Sequence, residues 1–104
     1  MTDYLPVRKL IWDAWNLDHI KKHGIARSDI EELLEGQRRL VMIETYKGRL
    51  KVFGPIVAER ILTVVIGPDR NREAGTFYVF SARAAHRSER RMYYEQMEES
   101  PDDE

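Results

Sequence analysis

The chain has 104 residues, of which 17 are Lys or Arg and 18 are Asp or Glu, and it contains no cysteine. This length is typical of one domain, and the lack of cysteine excludes disulfides, thiolate metal sites and a cysteine nucleophile. The longest apolar run, ILTVVIG (61–67), is too short to cross a bilayer, so we expect a cytoplasmic protein without membrane contact.

Charge is distributed unevenly along the sequence. Six acidic residues lie in the last ten positions, so residues 1–94 carry 17 basic and 12 acidic side chains, a balance of 17 − 12 = +5. Twelve of the basic residues are Arg, which suits bidentate phosphate contacts. The pattern favours an anionic partner, although a dispersed, solvated charged surface is an equally common interpretation. Residues 1–98 are expected to form the single domain, and residues 99–104 an acidic disordered tail.

The N-terminal third predicts one strand and two helices. VRKLIW (7–12) alternates and contains β-branched and aromatic residues, which indicates a short strand. A helix then runs from Asn16, as N-cap, to a glycine stop at Gly24. A second helix begins at SDIE (28–31), which has capping-box spacing, and ends at Gly36.

The rest of the chain predicts a meander of strands and a final helix. The strand-like segments are RLVMIETY, RLKVFG, ERILTVVIG and TFYVFSA, at 39–46, 49–54, 59–67 and 76–82. A Lys47-Gly48 turn joins the first two, and a helix without Gly or Pro extends from about Ala84 to Glu98. This order predicts an α+β fold, with a mainly antiparallel sheet of four to five strands. Two N-terminal helices and one C-terminal helix are expected on one face of that sheet.

Two helices joined by a glycine turn also suggest a helix-turn-helix, in which the second helix would read DNA. That helix carries four carboxylates, on Asp29, Glu31, Glu32 and Glu35. Carboxylates held against DNA phosphates are repelled, so DNA reading is the weaker interpretation.

The sequence HIKKH places His19 and His23 one helical turn apart, which is a metal-ligand spacing. Lys21 and Lys22 lie between them and disfavour a cation, so no metal site is predicted. His19, Lys22 and His23 point away from the apolar side of the predicted helix. They form either a solvated basic cluster or a surface that contacts phosphate, and the sequence leaves both interpretations open.

The C-terminal helix has one face on which apolar residues and a carboxylate coincide, formed by Ala85, Glu89, Met92 and Gln96, with Tyr93 at its edge. Because this apolar face must pack on the sheet, Glu89 is directed inward, where an unpaired carboxylate is costly. Arg83 and Arg60, each at the end of a strand, are its candidate partners. Glu89 and an arginine form either a structural pair that holds the helix to the sheet or a site that orients arginines toward a bound phosphate.

Three stretches of the chain resemble one known family: WDAWNLDHIKKHGI (12–25), GRLKVFGPIVAERILTVV (48–65) and FYVFSARAAHRSERRMYYE (77–95). They are similar to the BrnT-type toxins of bacterial type II toxin–antitoxin systems, and they cover about half of the chain in the expected order. SAR followed by ERRMYYE is the most specific part. Typical members carry Lys and Asn where this chain has Trp15 and His19.

The resemblance implies a RelE-like fold and a metal-independent RNA endonuclease that uses no cofactor. It also implies neutralisation by a DNA-binding antitoxin. The implied assembly is a homodimer of this chain or a toxin–antitoxin heterotetramer. By motif position it implies a functional set of Lys22, His23, Arg60, Ser81, Arg83, Glu89, Arg90 and Tyr94. We assign catalysis to His23, Arg60, Arg83 and Glu89, and RNA binding to His19, Lys22, Ser81, Arg87, Arg90 and Tyr94.

RNA cleavage without a metal needs a base for the 2′-hydroxyl, cations for the charge on the phosphorane and an acid for the leaving 5′-oxygen. Arg60 and Arg83 suit the charge stabilisation. His23 is the best single general base or acid, because histidine exchanges protons near neutral pH. Glu89 is an alternative base, although an arginine partner would lower its basicity. The alternative function is a non-catalytic basic module that binds a partner protein or nucleic acid.

Overall fold

A mixed β-sheet with three helices forms the fold. The computed structural model describes residues 2–3, 7–35, 40–56, 60–68 and 73–98. Within these residues the strands are β1 (Thr2–Asp3), β2 (Lys9–Ile11), β3 (Leu40–Glu44), β4 (Leu50–Pro55), β5 (Ile61–Pro68) and β6 (Thr76–Ala84). The helices are α1 (Ala14–Lys21), α2 (Arg27–Glu35) and α3 (Arg87–Glu98). The α+β class is therefore confirmed.

The strands lie in the order β1-β3-β4-β5-β6-β2. Every neighbouring pair is antiparallel except β2 and β6, which are parallel. The long connection between β2 and β6, which contains α1, α2 and three strands, permits this pairing, since parallel strands cannot be joined by a short hairpin. The sheet is mainly antiparallel, as expected, with β2 as a parallel edge.

The helices occupy both faces of the sheet. Because side chains alternate along a strand, Val52 and Phe53 of β4 point in opposite directions. Val52 packs with α1 and α2 residues such as Ile20 and Leu33, whereas Phe53 packs with Ala85 and Tyr93 at α3. We call these two sides the α1/α2 face and the α3 face. The expectation that all helices share one face is therefore wrong, because both sides of the central strands are apolar and each needs a cover.

The first helix begins three residues earlier than the sequence predicted. Asp13 is its N-cap, and its side chain accepts the Asn16 backbone N–H while the Asn16 side chain accepts the Asp13 N–H. Asn16 is therefore not the cap but the third residue of α1, and it is fully buried. Its amide also donates to the carbonyls of Ile11 and Val79, at 2.9 and 3.0 Å. This one side chain ties α1 to β2 and β6.

The second helix also starts before its predicted cap. It runs from Arg27, and the Asp29 carboxylate accepts the Ala26 N–H at 3.0 Å. Glu31, predicted to complete a capping box with Ser28, instead forms an ion pair with Arg27 at 2.8 Å. The predicted glycine stop at Gly36 lies outside the described residues.

The predicted Lys47-Gly48 turn is confirmed. Both residues have positive φ angles, 61° and 74°, the combination that matches the twist of a two-residue hairpin between β3 and β4. The first residues of two predicted strands, at 39 and 59, and the predicted tail at 99–104 lie outside the described residues. No helix within the described ranges combines the length and hydropathy needed to cross a bilayer.

Candidate functional site

Glu89 lies in the first turn of α3 and is 6% exposed. Its Oε1 accepts the backbone N–H of His86 at 2.8 Å, and the His86 carbonyl accepts the Arg90 N–H at 2.9 Å. A glutamate three residues into a helix that bonds back to the N-cap N–H is one half of a capping box. The local sequence therefore fixes the carboxylate beside the sheet.

Three strands contribute donors to the same carboxylate. Arg83 of β6 binds it through two bonds, Nη1 to Oε1 at 2.7 Å and Nη2 to Oε2 at 2.9 Å. The Thr63 hydroxyl of β5 donates to Oε1 at 2.9 Å. Lys51 Nζ of β4 lies 3.1 Å from Oε2. Glu89 thus connects β4, β5 and β6 to the start of α3, and its inward direction, predicted from the helix face, is what the structure shows.

These contacts set the ionisation of the pair. The hydrogen bonds from Arg83 hold the pKa of Glu89 far below its ordinary value of 4.5 against the opposing effect of burial, and the His86 N–H, Lys51 and Thr63 lower it further. The same bonds raise the pKa of Arg83. Glu89 therefore stays ionised and has little basicity at neutral pH, so its contribution is to position the two cations.

The Arg83 guanidinium retains donors that Glu89 does not use. The three bonds described for it engage Nη1 and Nη2, two to Glu89 and one from Nη1 to the Ala84 carbonyl at 3.2 Å. A guanidinium has five N–H groups. The remaining two, Nε–H and the second hydrogen of Nη2, lie on the side edge of the group and form a second bidentate donor pair. The Arg83 side chain is 28% exposed, and none of the contacts among the described residues uses this edge. An anion of matching geometry would accept both of these donors.

Among the described residues, α3 covers one end of the α3 face. Phe53 and Thr63, beneath α3, are 0% and 2% exposed. Beyond the helix the same face carries side chains that are half-buried. We call them the open sheet surface, which consists of Arg49, Lys51, Val65, Tyr78, Phe80, Ser81 and Arg83. A β-bulge at Val65/Ile66 places both Phe80 and Ser81 on this side.

Two of the sequence-predicted residues, Arg83 and Glu89, are in direct contact, and Ser81 lies two residues before Arg83 on the same surface. Arg87, Arg90 and Tyr94, to which the sequence analysis assigns RNA binding, are exposed on the outer side of α3. Arg90 Nη1 donates to the Ala85 carbonyl at 2.8 Å. Arg87 lines a shallow hollow with Ser88 and Arg91. These arginines border the α3 N-terminus and give it a basic rim.

Arg60 is not a partner that the structure gives to Glu89. It is exposed just before β5, where its carbonyl accepts the Ile56 N–H at 2.9 Å. The cation beside Arg83 is Lys51 instead. The sequence order alone could not distinguish the two, because the choice depends on strand register, which sets Lys51 opposite Val65 and Thr63 opposite Arg83.

The basic cluster formed by His19, Lys22 and His23, at the end of α1, has no described contact with Glu89. His19 stacks on Trp15 with centroids 4.9 Å apart and meets His23 edge-on at 5.6 Å. Lys22 forms an ion pair with Asp18 at 3.4 Å. The buried side of α1 packs on the α1/α2 face, opposite the face that carries Glu89. None of the contacts described for His23 joins it to Arg83 or Glu89.

Sequence reasoning missed Lys51, Thr63 and His86. Lys51 and Thr63 carry no local signal, because their role arises from pairing between strands. His86 did have a signal: it stands three residues before Glu89, the spacing of a capping box.

No group of three or more His, Asp or Glu side chains with metal-binding geometry occurs among the residues that the structure describes. The two cations on Glu89 also oppose a metal ion at that carboxylate. A scan of the sequence against protein-family models finds no match, and a search of curated proteins finds no significant match.

Proposed function

We propose that this protein is a toxin-like RNA endonuclease that binds a backbone phosphate of single-stranded RNA at Arg83 and Lys51. The observation that carries the proposal is the side edge of the Arg83 guanidinium, which none of the contacts among the described residues occupies. Glu89 holds the opposite edge in a bidentate pair, so the group presents its remaining donors in a fixed orientation. A fixed bidentate donor pair matches phosphate in the same way as carboxylate.

The charge of the site favours an anion. Arg83 and Lys51 contribute two positive charges, and Glu89 contributes one negative charge. The local balance of +1 stabilises the charge that develops on the phosphorane during cleavage. In this mechanism Glu89 is a positioning residue, because its lowered pKa leaves it ionised and weakly basic.

Proton transfer requires a different group, and two histidines are candidates. His23 is implied by the resemblance to BrnT-type toxins. His86 is favoured by geometry, because its backbone is bonded to the Glu89 carboxylate and its side chain is exposed at the start of α3. The imidazole of histidine is the side chain best suited to exchange protons near neutral pH.

The resemblance in SAR and ERRMYYE supports the toxin assignment, since Arg83 and Glu89 of these two motifs are the residues in contact. It extends the proposal to a DNA-binding antitoxin, assembled with this chain in the bacterial cytoplasm. We expect a short neighbouring gene that encodes the antitoxin. We also expect that expression of the present chain arrests growth and that the antitoxin relieves the arrest. Growth unaffected by expression of the chain alone would contradict the toxin assignment.

A second candidate is a non-catalytic module that binds RNA or an acidic protein segment on the same surface. The saturated, weakly basic carboxylate of Glu89 favours this alternative. It predicts salt-sensitive binding without any cleavage product.

Cleavage of a single-stranded RNA in the presence of EDTA tests the proposal. We expect cleavage by the wild-type chain, a large loss in Arg83→Ala and no change in Arg27→Ala, an exposed arginine on α2. Each variant is compared by circular dichroism to exclude unfolding. Lys51→Gln, which retains most of the side-chain volume, is the second variant and is expected to lose activity in part. Binding without cleavage would favour the non-catalytic module, and cleavage unaffected by either variant would overturn the site.

The two histidines are distinguished in the same assay. If His86 transfers the proton, His86→Gln reduces the cleavage rate by roughly 100-fold or more and removes one limb of the pH–rate profile, whereas His23→Gln leaves both unchanged. The opposite result assigns proton transfer to His23 and to the α1 cluster.

A further inference from the structure

A stacked pair of side chains lies on the open sheet surface, away from Glu89. The guanidinium carbon of Arg49 is 3.8 Å from the centroid of the Phe80 ring. That distance is van der Waals contact and is the closest cation–ring approach among the described residues. The pair is half-buried, so part of it faces solvent.

Gly67 provides the space for this pair. It is the β5 residue that pairs with Tyr78 of β6. A Cβ built on Gly67 would lie 2.9 Å from Cε2 of Phe80 and 3.5 Å from Cγ of Arg49. Any side chain there would displace the ring, so the glycine allows Phe80 to lie against the sheet with Arg49 beside it.

Neighbouring contacts hold the ring in place. Tyr78 meets Phe80 edge-to-face, with centroids 5.0 Å apart. The Tyr78 hydroxyl is itself bound, since it donates to Asp13 Oδ2 at 3.0 Å. The platform formed by Arg49, Phe80 and Tyr78 is therefore ordered before any ligand binds, which reduces the entropic cost of binding.

The charge of Arg49 is not neutralised by the described contacts, because none of the ion pairs formed among the described residues includes it. Arg49 lies just before β4 in extended backbone and precedes Lys51 by two residues, so their side chains share a face. Two residues span about 6.6–6.8 Å along a strand. A single nucleotide spans a comparable distance between its phosphate and its base. With Arg83, Lys51, Arg49 and Glu89 the surface carries 3 − 1 = +2 charges.

We propose that the Arg49–Phe80 pair is a nucleobase-stacking subsite, which binds the base next to the phosphate held by Arg83 and Lys51. The occupant is a single-stranded RNA, since unpaired bases stack on guanidinium planes and aromatic rings and the adjoining cations match its phosphates. This inference rests on the proposed function, because it places a base beside that phosphate site.

The test compares two probes of equal length: a 2′-O-methylated single-stranded RNA, which resists cleavage, and a ribose–phosphate oligomer without bases. The wild-type chain is expected to bind the base-bearing oligomer more tightly. Arg49→Lys keeps the charge but removes the planar group, so it is expected to reduce that preference by roughly five-fold or more while leaving affinity for the abasic oligomer unchanged. Phe80→Leu is expected to act in the same direction.

Arg27→Lys is the matched control, because Arg27 also lies over a ring, that of Trp12, at 5.6 Å. Arg27→Lys is expected to leave the affinity for the base-bearing oligomer and the affinity for the abasic oligomer unchanged. Equal binding of both oligomers by the wild-type chain, reduced for both by Arg83→Ala, would overturn the stacking subsite and leave the phosphate site in place. If Arg49→Lys weakened the binding of both oligomers equally, that result would also overturn the stacking subsite. Failure to bind either oligomer would overturn the phosphate site together with the subsite.

Discussion

At the scale of single residues, the Glu89 carboxylate is the most highly coordinated group described in the chain. Five hydrogen bonds or ion pairs reach its two oxygens from Arg83, Lys51, Thr63 and the His86 N–H. A buried carboxylate persists as an ion only with such compensation. Its saturation is the reason that the proposed function gives Glu89 a positioning role, although the resemblance implies a catalytic one.

Glu89→Gln tests the charge of this network through the pH dependence of stability. The folded pKa of Glu89 lies below its ordinary value of 4.5. The network therefore contributes its full stability above pH 4.5 and loses it as pH falls toward the folded pKa. Near neutral pH we expect Glu89→Gln to lower the free energy of unfolding by about 2–3 kcal/mol.

Urea unfolding of the wild type and of Glu89→Gln, between about pH 7 and pH 3, measures the free energy of unfolding of each. The difference between the two free energies is expected to shrink as pH falls. Glu95→Gln, on the exposed side of α3, is the control and should show no such trend. A difference between wild type and Glu89→Gln that stays constant over this range would contradict a carboxylate with a lowered pKa.

Asn16 is the second residue whose contacts extend beyond its own helix. Its amide donates to the Ile11 and Val79 carbonyls. In Asn16→Ala these buried acceptors lose a partner, and we expect unfolding to become easier by roughly 2–4 kcal/mol. Asp18→Ala, which breaks only an exposed pair with Lys22, should cost less than about 1 kcal/mol. Similar thermal midpoints for the two variants would contradict the role of Asn16.

At the scale of elements, α2 approaches β4 closely at one glycine. A Cβ on Gly54 would lie 2.7 Å from Leu40 Cδ2 and 2.8 Å from Leu33 Cδ1. Both leucines are buried and have little room to move. We expect Gly54→Ala to destabilise the protein by about 1–3 kcal/mol through overpacking, measured by chemical unfolding.

Combining Gly54→Ala with Leu33→Val tests the cause, because valine lacks the Cδ1 atom that the new methyl would meet. The double variant should be more stable than the sum of the two single changes predicts. Simple additivity of the two costs would show that the contact with Leu33 is not the reason and would assign the cost to Leu40.

Element types were largely predictable from the sequence, whereas their arrangement was not. The inward face of α3 could be predicted because Ala85, Met92 and Tyr93 define one helical side, which places Glu89 beside the sheet. The Lys47-Gly48 turn could be predicted from its residue types. The placement of α3 opposite α1 and α2 could not, since periodicity shows which side of a helix is apolar and not which face of the sheet it covers.

In the candidate site, too, local contacts were predictable from the sequence and contacts between strands were not. Arg83 was predictable as a partner because it is close to Glu89 in sequence. Lys51 and Thr63 were not, because strand register alone brings them to the carboxylate. The start of α1 was displaced because Asp13 and Asn16 bond reciprocally, and Asp and Asn are both common N-cap residue types.

At the scale of the whole molecule, the sheet separates two surfaces of different character. On one face α1 and α2 cover the main core, and the Trp15–His19–His23 ladder is exposed on the outer side of α1. On the other face α3 covers one end and leaves the open sheet surface beside it. A half-covered face with cations and rings is suited to a flexible, anionic chain such as single-stranded RNA.

The salt dependence of RNA affinity tests most directly whether Arg83 contacts phosphate or only holds α3 to the sheet. Each phosphate contact to a single strand contributes about 0.7 to the slope of log K against log salt concentration. We therefore predict that Arg83→Ala, confirmed as folded, weakens binding and reduces the magnitude of the slope by about 0.7, while Arg27→Ala leaves the slope unchanged. A folded Arg83→Ala protein with the wild-type affinity and slope would contradict the account and leave the Arg83–Glu89 pair with a structural role alone.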